Sequence, residues 1–178
     1  MSLLAQRLLA VHDALSNAEL PHAFGGAIAL AYCTEEPRGT RDLDVNVFTE
    51  PTRAKEVFSA LPPRVTVTSA DVEAAEREGQ ARVWWEDTPI DVFLDVHHFH
   101  EEVARGVREV PFMDRTIPVL DCTGLAVFKA LFDRTKDWAD IEAVVEADAM
   151  DIAKAVAWLE RMVGPEHPVR RRMASLGG

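Results

Sequence analysis

The feature that most constrains the fold is a short apolar segment that leads into two glycines and then into an alanine-rich stretch. Residues 22–24 are short and apolar enough for a strand, Gly25-Gly26 permits a tight turn, and the run AIALAY is typical of a buried helix. Backbone N–H groups at the start of a helix also bind anions. The sequence therefore predicts a strand, a turn and a helix with a candidate anion site, although a turn that needs positive φ explains the glycines equally well.

Two aspartates lie at the start of the next predicted strand, residues 43–48 with the sequence LDVNVF: Asp44 is within it and Asp42 immediately precedes it. Successive side chains of a strand point to opposite faces, so Asp42 and Asp44 share one face while the apolar residues point into the core. Two carboxylates this close repel each other, and a divalent cation with oxygen ligands would balance their charge. The alternative is a solvated strand face near the edge of a sheet, where aspartate is tolerated.

A third carboxylate on a neighbouring strand would complete a two-metal site. The segment PIDVFLDV at residues 89–96 predicts such a strand, with Asp91 and Asp95 on one face. We favour Asp91 because it lies near the start of the strand between apolar residues. Asp95 could instead belong to the strand end or to the histidine-rich turn that follows.

The remaining patterns predict a mixed α/β (α+β) chain in two parts. Periodic apolar residues indicate a first helix at 2–17, and Thr68 with Asp71 resembles a capping box for a helix at 69–78. Further strands are predicted at 64–68, 81–85, 107–112 and 115–120, and further helices at 121–133, 136–147, 149–163 and 166–175. We therefore expect an α/β core with a mostly antiparallel or mixed sheet at 1–120 and a helical region at 121–178.

Composition limits the class of protein. The 178 residues carry a formal net charge of -11, which argues against a broad nucleic-acid clamp because such a surface needs an excess of lysine and arginine. No signal peptide and no stretch of about 18 apolar residues is apparent, so we expect no membrane span. Cys33 and Cys122 need not pair, and we expect a reduced, cytoplasmic protein.

The acidic and glycine-rich motifs together resemble those of the nucleotidyltransferases of the DNA polymerase β superfamily. The resemblance rests on a phenylalanine-glycine-glycine turn, a helix, the pattern Arg38-x-Thr40-x-Asp42-Leu43-Asp44 and the later Asp91. Residues 117–146 are similar to the tail of the minimal bacterial enzymes related to type IV abortive-infection toxins. In that tail a lysine on a helix, here Lys129, precedes a signature matched by Arg134, Lys136, Asp137, Asp140 and Ile141.

The resemblance implies a palm-like mixed sheet with flanking helices, followed by a C-terminal helical bundle. It implies that the nucleotide phosphates contact Gly25, Gly26 and Thr40, with Arg38 as a further nucleotide-binding candidate. It assigns one or two Mg²⁺ or Mn²⁺ ions to three ligands, Asp42, Asp44 and Asp91. By the same resemblance, Lys129 would neutralise phosphate charge, or would orient the helical part of the site together with Asp140.

The activity that follows from the resemblance is metal-dependent transfer of a nucleoside monophosphate from an NTP, such as ATP, to a hydroxyl group. For the acceptor we place the 3′ end of tRNA or another RNA first, in a toxin-antitoxin setting with a cognate antitoxin protein. A protein side chain comes second and a small molecule such as an aminoglycoside third. The alternative is a nucleotidyltransferase-like binding or scaffold module that has lost turnover.

Several candidate residues also have simpler explanations. Lys129 could extend along a helix edge into solvent, and Lys136 with Asp140 could form only a surface ion pair. The cluster of His97, His98 and His100 is a weak candidate for a transition-metal site because adjacent histidines point to different faces. The basic run 170–172 is typical of a solvated helix face, although it could hold RNA.

Overall fold

The computed structural model describes residues 2–177 and contains a six-stranded mixed sheet with helices packed around it. The strands are β1 (His22–Phe24), β2 (Leu43–Val47), β3 (Gln80–Trp85), β4 (Thr88–Leu94), β5 (Arg108–Phe112) and β6 (Arg115–Val119). The helices are α1 (Leu3–Asn17), α2 (Gly26–Thr34), α3 (Ala54–Ala60), α4 (Ser69–Glu78), α5 (Phe99–Arg105), α6 (Cys122–Phe132), α7 (Thr135–Glu146), α8 (Ile152–Val163) and α9 (Pro168–Ser175). The mixed α+β class is therefore confirmed.

The strand order β3-β4-β2-β1-β6-β5 places the acidic strands side by side. β2 pairs with β4 in parallel and with β1 antiparallel, while β1 pairs with β6 in parallel. The two outer hairpins, β3–β4 and β5–β6, are antiparallel. The sheet is mixed because the chain leaves β2 through α3 and α4 before it returns as the hairpin that contains β4.

Alternation of side chains decides which face of the central strands is buried. Along β4, Ile90, Val92 and Leu94 are buried, whereas Asp91 and Phe93 are only half-buried. β2 follows the same pattern at its start. One face of these strands therefore packs into the core, and the other carries carboxylates.

The helical region contacts the core through α2. α6 begins after the N-cap Asp121, whose side chain accepts a hydrogen bond from the Gly124 N–H at 3.3 Å. Both α6 and α7 pack against α2, and α8 and α9 pack against α6. This packing places the α6 residue Lys129 near the turn between β1 and α2.

A buried arginine fixes the first helix to the hairpin that carries Asp91. The Arg7 side chain is 2% exposed and bonds to Glu86 at 2.5 Å and to Asp87 at 2.7 Å, at the turn of the β3–β4 hairpin. Its guanidinium also lies 5.8 Å from the centroid of the Trp85 ring. The hairpin is therefore anchored at the end away from α4.

One local expectation is wrong, and one segment contains a helix that the sequence pattern did not predict. Residues 64–68 form no strand, because only Thr66 makes an isolated bridge, to Trp84, and Thr68 is used as the N-cap of α4. The segment after β4 is not only a histidine-rich turn, since α5 begins at Phe99 and buries Phe99 and Val103. In both places, packing against neighbouring elements outweighs the local pattern.

The expectation of unpaired, reduced cysteines is also corrected. Cys33 and Cys122 form a disulfide that links the end of α2 to the start of α6, across 89 residues of sequence. Nothing in the sequence around either cysteine shows this proximity, because it arises from the packing of two distant helices. In residues 2–177 no helix is long and apolar enough to cross a membrane.

A pair of histidines lies beneath the start of β1. The ring Nδ1 of His22 donates to the carbonyl of Leu20 at 2.8 Å, which leaves Nε2 as an acceptor for Nδ1 of His12 at 2.9 Å. Burial lowers the pKa of both imidazoles, and the charges facing His12 are those of Asp13, Arg115 and Glu109. Protonation of His22 would set two donors against each other.

We expect the part of the free energy of unfolding that these two histidines contribute to fall as the pH decreases below about 6.5, the ordinary histidine pKa. The unfolded chain then binds protons that the folded histidines resist, so this stability is present above pH 6.5 and lost towards the lower folded pKa. In urea titrations between pH 5 and 7, the free energy of unfolding of His22→Gln should rise relative to that of the wild type as the pH decreases. His98→Gln, at an exposed position, should leave the slope unchanged; equal slopes for both variants and the wild type would refute this account.

Candidate functional site

The turn between β1 and α2 lies directly against Asp44. The Gly25 N–H donates to the Asp44 carbonyl at 2.9 Å. Gly26 has a φ of +50°, and a Cβ placed there would lie 1.8 Å from Oδ2 of Asp44. Glycine is thus required for space as well as for conformation, and the double glycine and the acidic strand belong to one site.

Asp42 lies immediately before β2 and is fixed by a neighbouring hydroxyl. Thr40 Oγ1 donates to Oδ1 of Asp42 at 2.5 Å. Thr40 thus contacts the first carboxylate of the pair, and both side chains are half-buried. Asp42 and Asp44 follow the two-residue spacing that the sequence predicts for a shared face.

The third carboxylate next to Asp44 is that of Asp91. In the parallel β2–β4 pair, Asp44 lies opposite Asp91. Asp91 in turn lies opposite Arg82 on β3, and Arg82 binds it through two hydrogen bonds of 2.7 and 2.6 Å. Arg82 is not among the residues that the sequence motifs indicate; the pairing of β3 with β4 positions it.

Asp95 lies elsewhere. Its backbone N–H donates to the Thr49 carbonyl at 2.9 Å, beyond the end of β4. Its Oδ1 is buried without a hydrogen-bond partner among the described residues, and burial, followed by the charge of Glu101, raises its pKa to about 6. Asp95 lines neither of the cavities that contain Asp44, so the register favours Asp91 as the third carboxylate.

The surroundings of Asp44 disfavour its negative charge. Burial, followed by the charges of Asp91 and Asp42, raises its pKa to about 6, while Lys129 and Lys136 oppose this rise. An ionised carboxylate next to two others is stabilised by a cation. The surroundings of Asp44 therefore favour the binding of positive charge.

The donor set fits a divalent cation, since carboxylate oxygens are the ligands that Mg²⁺ and Mn²⁺ prefer. Asp42 and Asp44 are adjacent, whereas Asp91 is held by Arg82. Across residues 2–177, no three metal-ligating side chains lie close enough to enclose an ion. Each oxygen of Asp91 accepts a hydrogen bond from Arg82 in this arrangement.

Lys129 is held in place by a buried ionic network between α6 and α7. Its Nζ lies 2.7 Å from Oδ2 of Asp140 and 3.7 Å from Oδ1 of Asp137, and its side chain is 12% exposed. Arg38 also binds Asp140, and Arg134 binds Asp137 at 2.6 Å. Burial raises the pKa of Asp140, but the hydrogen bonds from Lys129 and Arg38 outweigh it and lower the pKa overall.

Two cavities meet at Asp44. The first, of about 250 Å³, is mostly apolar and extends from Gly26 and Lys129 past Phe93 and Phe132. The second, of about 390 Å³, is an open groove lined by the acidic residues Asp44, Asp71, Glu78 and Asp91 and by Arg82 and Arg134. The rings of Phe93 and Phe132, 5.9 Å apart, line both cavities. Sequence reasoning missed this aromatic pair because β4 and α6 are far apart in the chain.

The remaining candidate clusters lie outside this arrangement or serve other contacts. His97 and His100 line the apolar cavity, and His98 is exposed; they form no metal-ligating group in the described part of the chain. The arginines at 170–172 each pair with a glutamate of the same chain. Their partners are Glu160, Glu166 and Glu142, in that order. These arginines are therefore already neutralised.

Replacement of Gly26 by alanine should destabilise the fold and distort Asp44. The added methyl group meets the carboxylate, and the left-handed backbone disfavours a side chain, by roughly 1–2 kcal/mol from the backbone alone. Gly39→Ala is the matched control, because a Cβ at Gly39 meets nothing within 4 Å. Urea unfolding should show a loss only for Gly26→Ala, and similar losses for both would contradict the close contact.

Lys129→Met should lower the free energy of unfolding by about 2 kcal/mol or more, because it removes a partner from a buried ionic network. Lys136→Met, at an exposed position on α7, should change it by less than about 0.5 kcal/mol. Chemical denaturation of both variants distinguishes the buried network from the two simpler explanations, a Lys129 that extends into solvent and a surface ion pair of Lys136 with Asp140. If Lys129 only extended into solvent, the two variants would behave alike.

The overall fold is similar to those of solved nucleotidyltransferases. Over 99% of this chain and 100% of the other, it superposes on ANT(2")-Ia in complex with adenylyl-2"-tobramycin, with a TM-score of 0.63 and 13% identity. The match to a solution structure of the antibiotic-resistance factor ANT(2'')-Ia has a TM-score of 0.61 and 15% identity, and it covers 98% of this chain and 95% of the other. The match to an antigenic nucleotidyltransferase-like protein from Paracoccidioides brasiliensis has a TM-score of 0.51 and 13% identity, and it covers 99% of this chain and 93% of the other.

Sequence comparisons add no closer relative: no family model matches the chain, and no curated protein matches it. Identities this low show the fold alone. The similarity to the abortive-infection toxins therefore stays a prediction, and the palm-like mixed sheet followed by helices is confirmed. The chain has the nucleotidyltransferase fold.

Proposed function

We propose that the chain transfers a nucleoside monophosphate from an NTP to a hydroxyl group, with a divalent cation as cofactor. The observation that carries this proposal is the contact between the Gly25-Gly26 turn and Asp44. The start of α2 offers the N–H groups of its first turn to phosphate oxygens, apart from the Gly25 N–H that bonds to Asp44, and the carboxylates beside it offer ligands for the accompanying cation. The groups proposed to bind the phosphates and those proposed to bind the cation therefore lie in contact.

Each residue has a distinct role in this proposal. Asp42 and Asp44 would hold the cation, with Asp91 as the third ligand, and the cation would supply the positive charge that phosphoryl transfer requires. Lys129 would face the phosphates from α6, and Asp137 and Asp140 would keep its ammonium group in place. Thr40 would orient Asp42 or contact a phosphate oxygen.

Proton transfer from the acceptor falls to Asp91 in this arrangement. Once free of Arg82, its carboxylate would face the open groove, where a hydroxyl group could approach it. The apolar cavity beside Asp44 would exclude water from one side of the reacting groups. The nucleotide and the acceptor would then enter from different sides of the Phe93–Phe132 pair.

The charges of the groove favour a small acceptor with amino groups over an RNA end. Three residues of α4 line the groove: Asp71, Ala74 and Glu78. Asp91 lines the same groove from β4. A solved neighbour holds adenylyl-2"-tobramycin, and we therefore place a small molecule such as an aminoglycoside first among the acceptors. An RNA acceptor, an antitoxin partner and a cytoplasmic location stay predictions from sequence.

The test is to incubate the protein with Mg²⁺ and each of the four labelled NTPs, in separate mixtures with aminoglycosides and with total RNA. We expect release of pyrophosphate and a labelled small-molecule product. Asp44→Asn should reduce the rate by roughly 100-fold or more, because even residues that only support metal ligands contribute 10- to 100-fold. Asp148→Asn, which replaces an exposed aspartate in the loop after α7, should leave the rate unchanged.

A labelled RNA product would support the transfer reaction and would show that RNA, and not a small molecule, is the acceptor. If the wild type neither bound Mg²⁺–NTP nor released pyrophosphate with any acceptor, the reaction itself would be refuted. The binding or scaffold alternative would then stand.

A further inference from the structure

Arg82 occupies both oxygens of the carboxylate that faces Asp44. Its Nε lies 2.7 Å from Oδ1 of Asp91, and its Nη2 lies 2.6 Å from Oδ2. A guanidinium that binds a carboxylate in this forked geometry uses the same lone pairs that would bind a metal ion. As long as this pair is closed, Asp91 cannot act as a full metal ligand.

Arg82 is the cation that contacts the acidic cluster through Asp91, while Lys129 and Lys136 act on Asp44. Its hydrogen bonds to Asp91 raise its pKa, and the charges of Asp42 and Asp44 raise it further. Arg82 therefore lies within the field of all three carboxylates. Its positive charge partly fulfils the function that a divalent cation would fulfil there.

The Arg82–Asp91 pair is placed so that it can open. The Arg82 side chain is 51% exposed and Asp91 is 18% exposed, and β3 lies at the edge of the sheet. Ion pairs with such access to water contribute little stability. The hairpin is anchored separately by Arg7 at its turn, so it does not depend on this pair.

We propose that Arg82 occupies the place of the cation at Asp91 in the free chain, so that Arg82 and the divalent cation compete for that carboxylate. This inference rests on the proposed function, because it takes Asp42 and Asp44 as metal ligands. It follows that the free chain binds the metal weakly. The phosphates of an NTP can accept the displaced guanidinium, and they therefore favour the exchange.

The competition can be measured without turnover, by titrating the protein with Mn²⁺ in the absence of nucleotide and following free Mn²⁺ by electron paramagnetic resonance. Arg82→Gln frees both oxygens of Asp91 and should tighten Mn²⁺ binding about tenfold. Arg82→Lys keeps the charge but cannot form the forked pair, and should give an intermediate affinity. Salt is held constant in all titrations, because exposed charges are screened.

Arg53→Gln is the matched control, because it removes the same charge and breaks a similar forked pair, with Glu56, outside the groove. It should change the Mn²⁺ affinity by less than about threefold if the contact with Asp91, and not net charge alone, decides the affinity. Arg77→Gln, on the exposed side of α4, provides a second charge control if the first variant is unstable. Circular dichroism verifies the fold of each variant.

The competition is overturned if Arg82→Gln binds Mn²⁺ no more tightly than the wild type or no more tightly than the charge controls. It is also overturned if Arg82→Lys matches the wild type, since charge alone would then explain the effect. Repeating the titration with a non-hydrolysable NTP separates the two proposals. If no variant binds Mn²⁺ even with the nucleotide, the proposed function fails as well. If all variants bind Mn²⁺ with the nucleotide but show equal affinity without it, only the role of Arg82 fails.

Discussion

The parallel pairing of β2 with β4 places the carboxylates of Asp44 and Asp91 side by side, and the charge gathered there is the constraint on which the rest of the site depends. Asp44 is partly desolvated, and its raised pKa reflects both burial and its acidic neighbours. Positive charge must therefore approach from outside the cluster. The glycine turn, the helical region and the β3–β4 hairpin each bring a group that responds to this charge.

Two kinds of cation surround the acidic face, and they differ in mobility. Lys129 lies in a network with the buried Asp137 and Asp140. Loss of one partner there leaves a buried charge that neither a partner nor water stabilises. Arg82 faces an open groove and binds a carboxylate that water reaches. The first arrangement suits a fixed positioning of phosphate charge, and the second suits exchange with a ligand. This contrast explains how a site can be ordered without ligand and still open to accept one.

Much of this site follows from local sequence, and the remainder follows from register and packing. The Gly25-Gly26 turn and the shared face of Asp42 and Asp44 are predictable, because glycine conformation and strand periodicity are local properties. The position of Arg82 could have been predicted, because a two-residue turn at 86–87 pairs residue 82 with residue 91, whereas the strands predicted at 81–85 and 89–96 leave three residues between them. The disulfide and the missing strand at 64–68 depend on contacts between distant segments. No local pattern encodes those contacts.

The central claim is that Asp42 and Asp44 bind a divalent cation beside the glycine turn. It is tested most directly by an anomalous difference map from a crystal grown with Mn²⁺ and a non-hydrolysable NTP. The account predicts a peak about 2.1 Å from a carboxylate oxygen of each residue, with the phosphates against Gly25-Gly26. Nucleotide bound without such a peak, or a peak held by other residues, would contradict it.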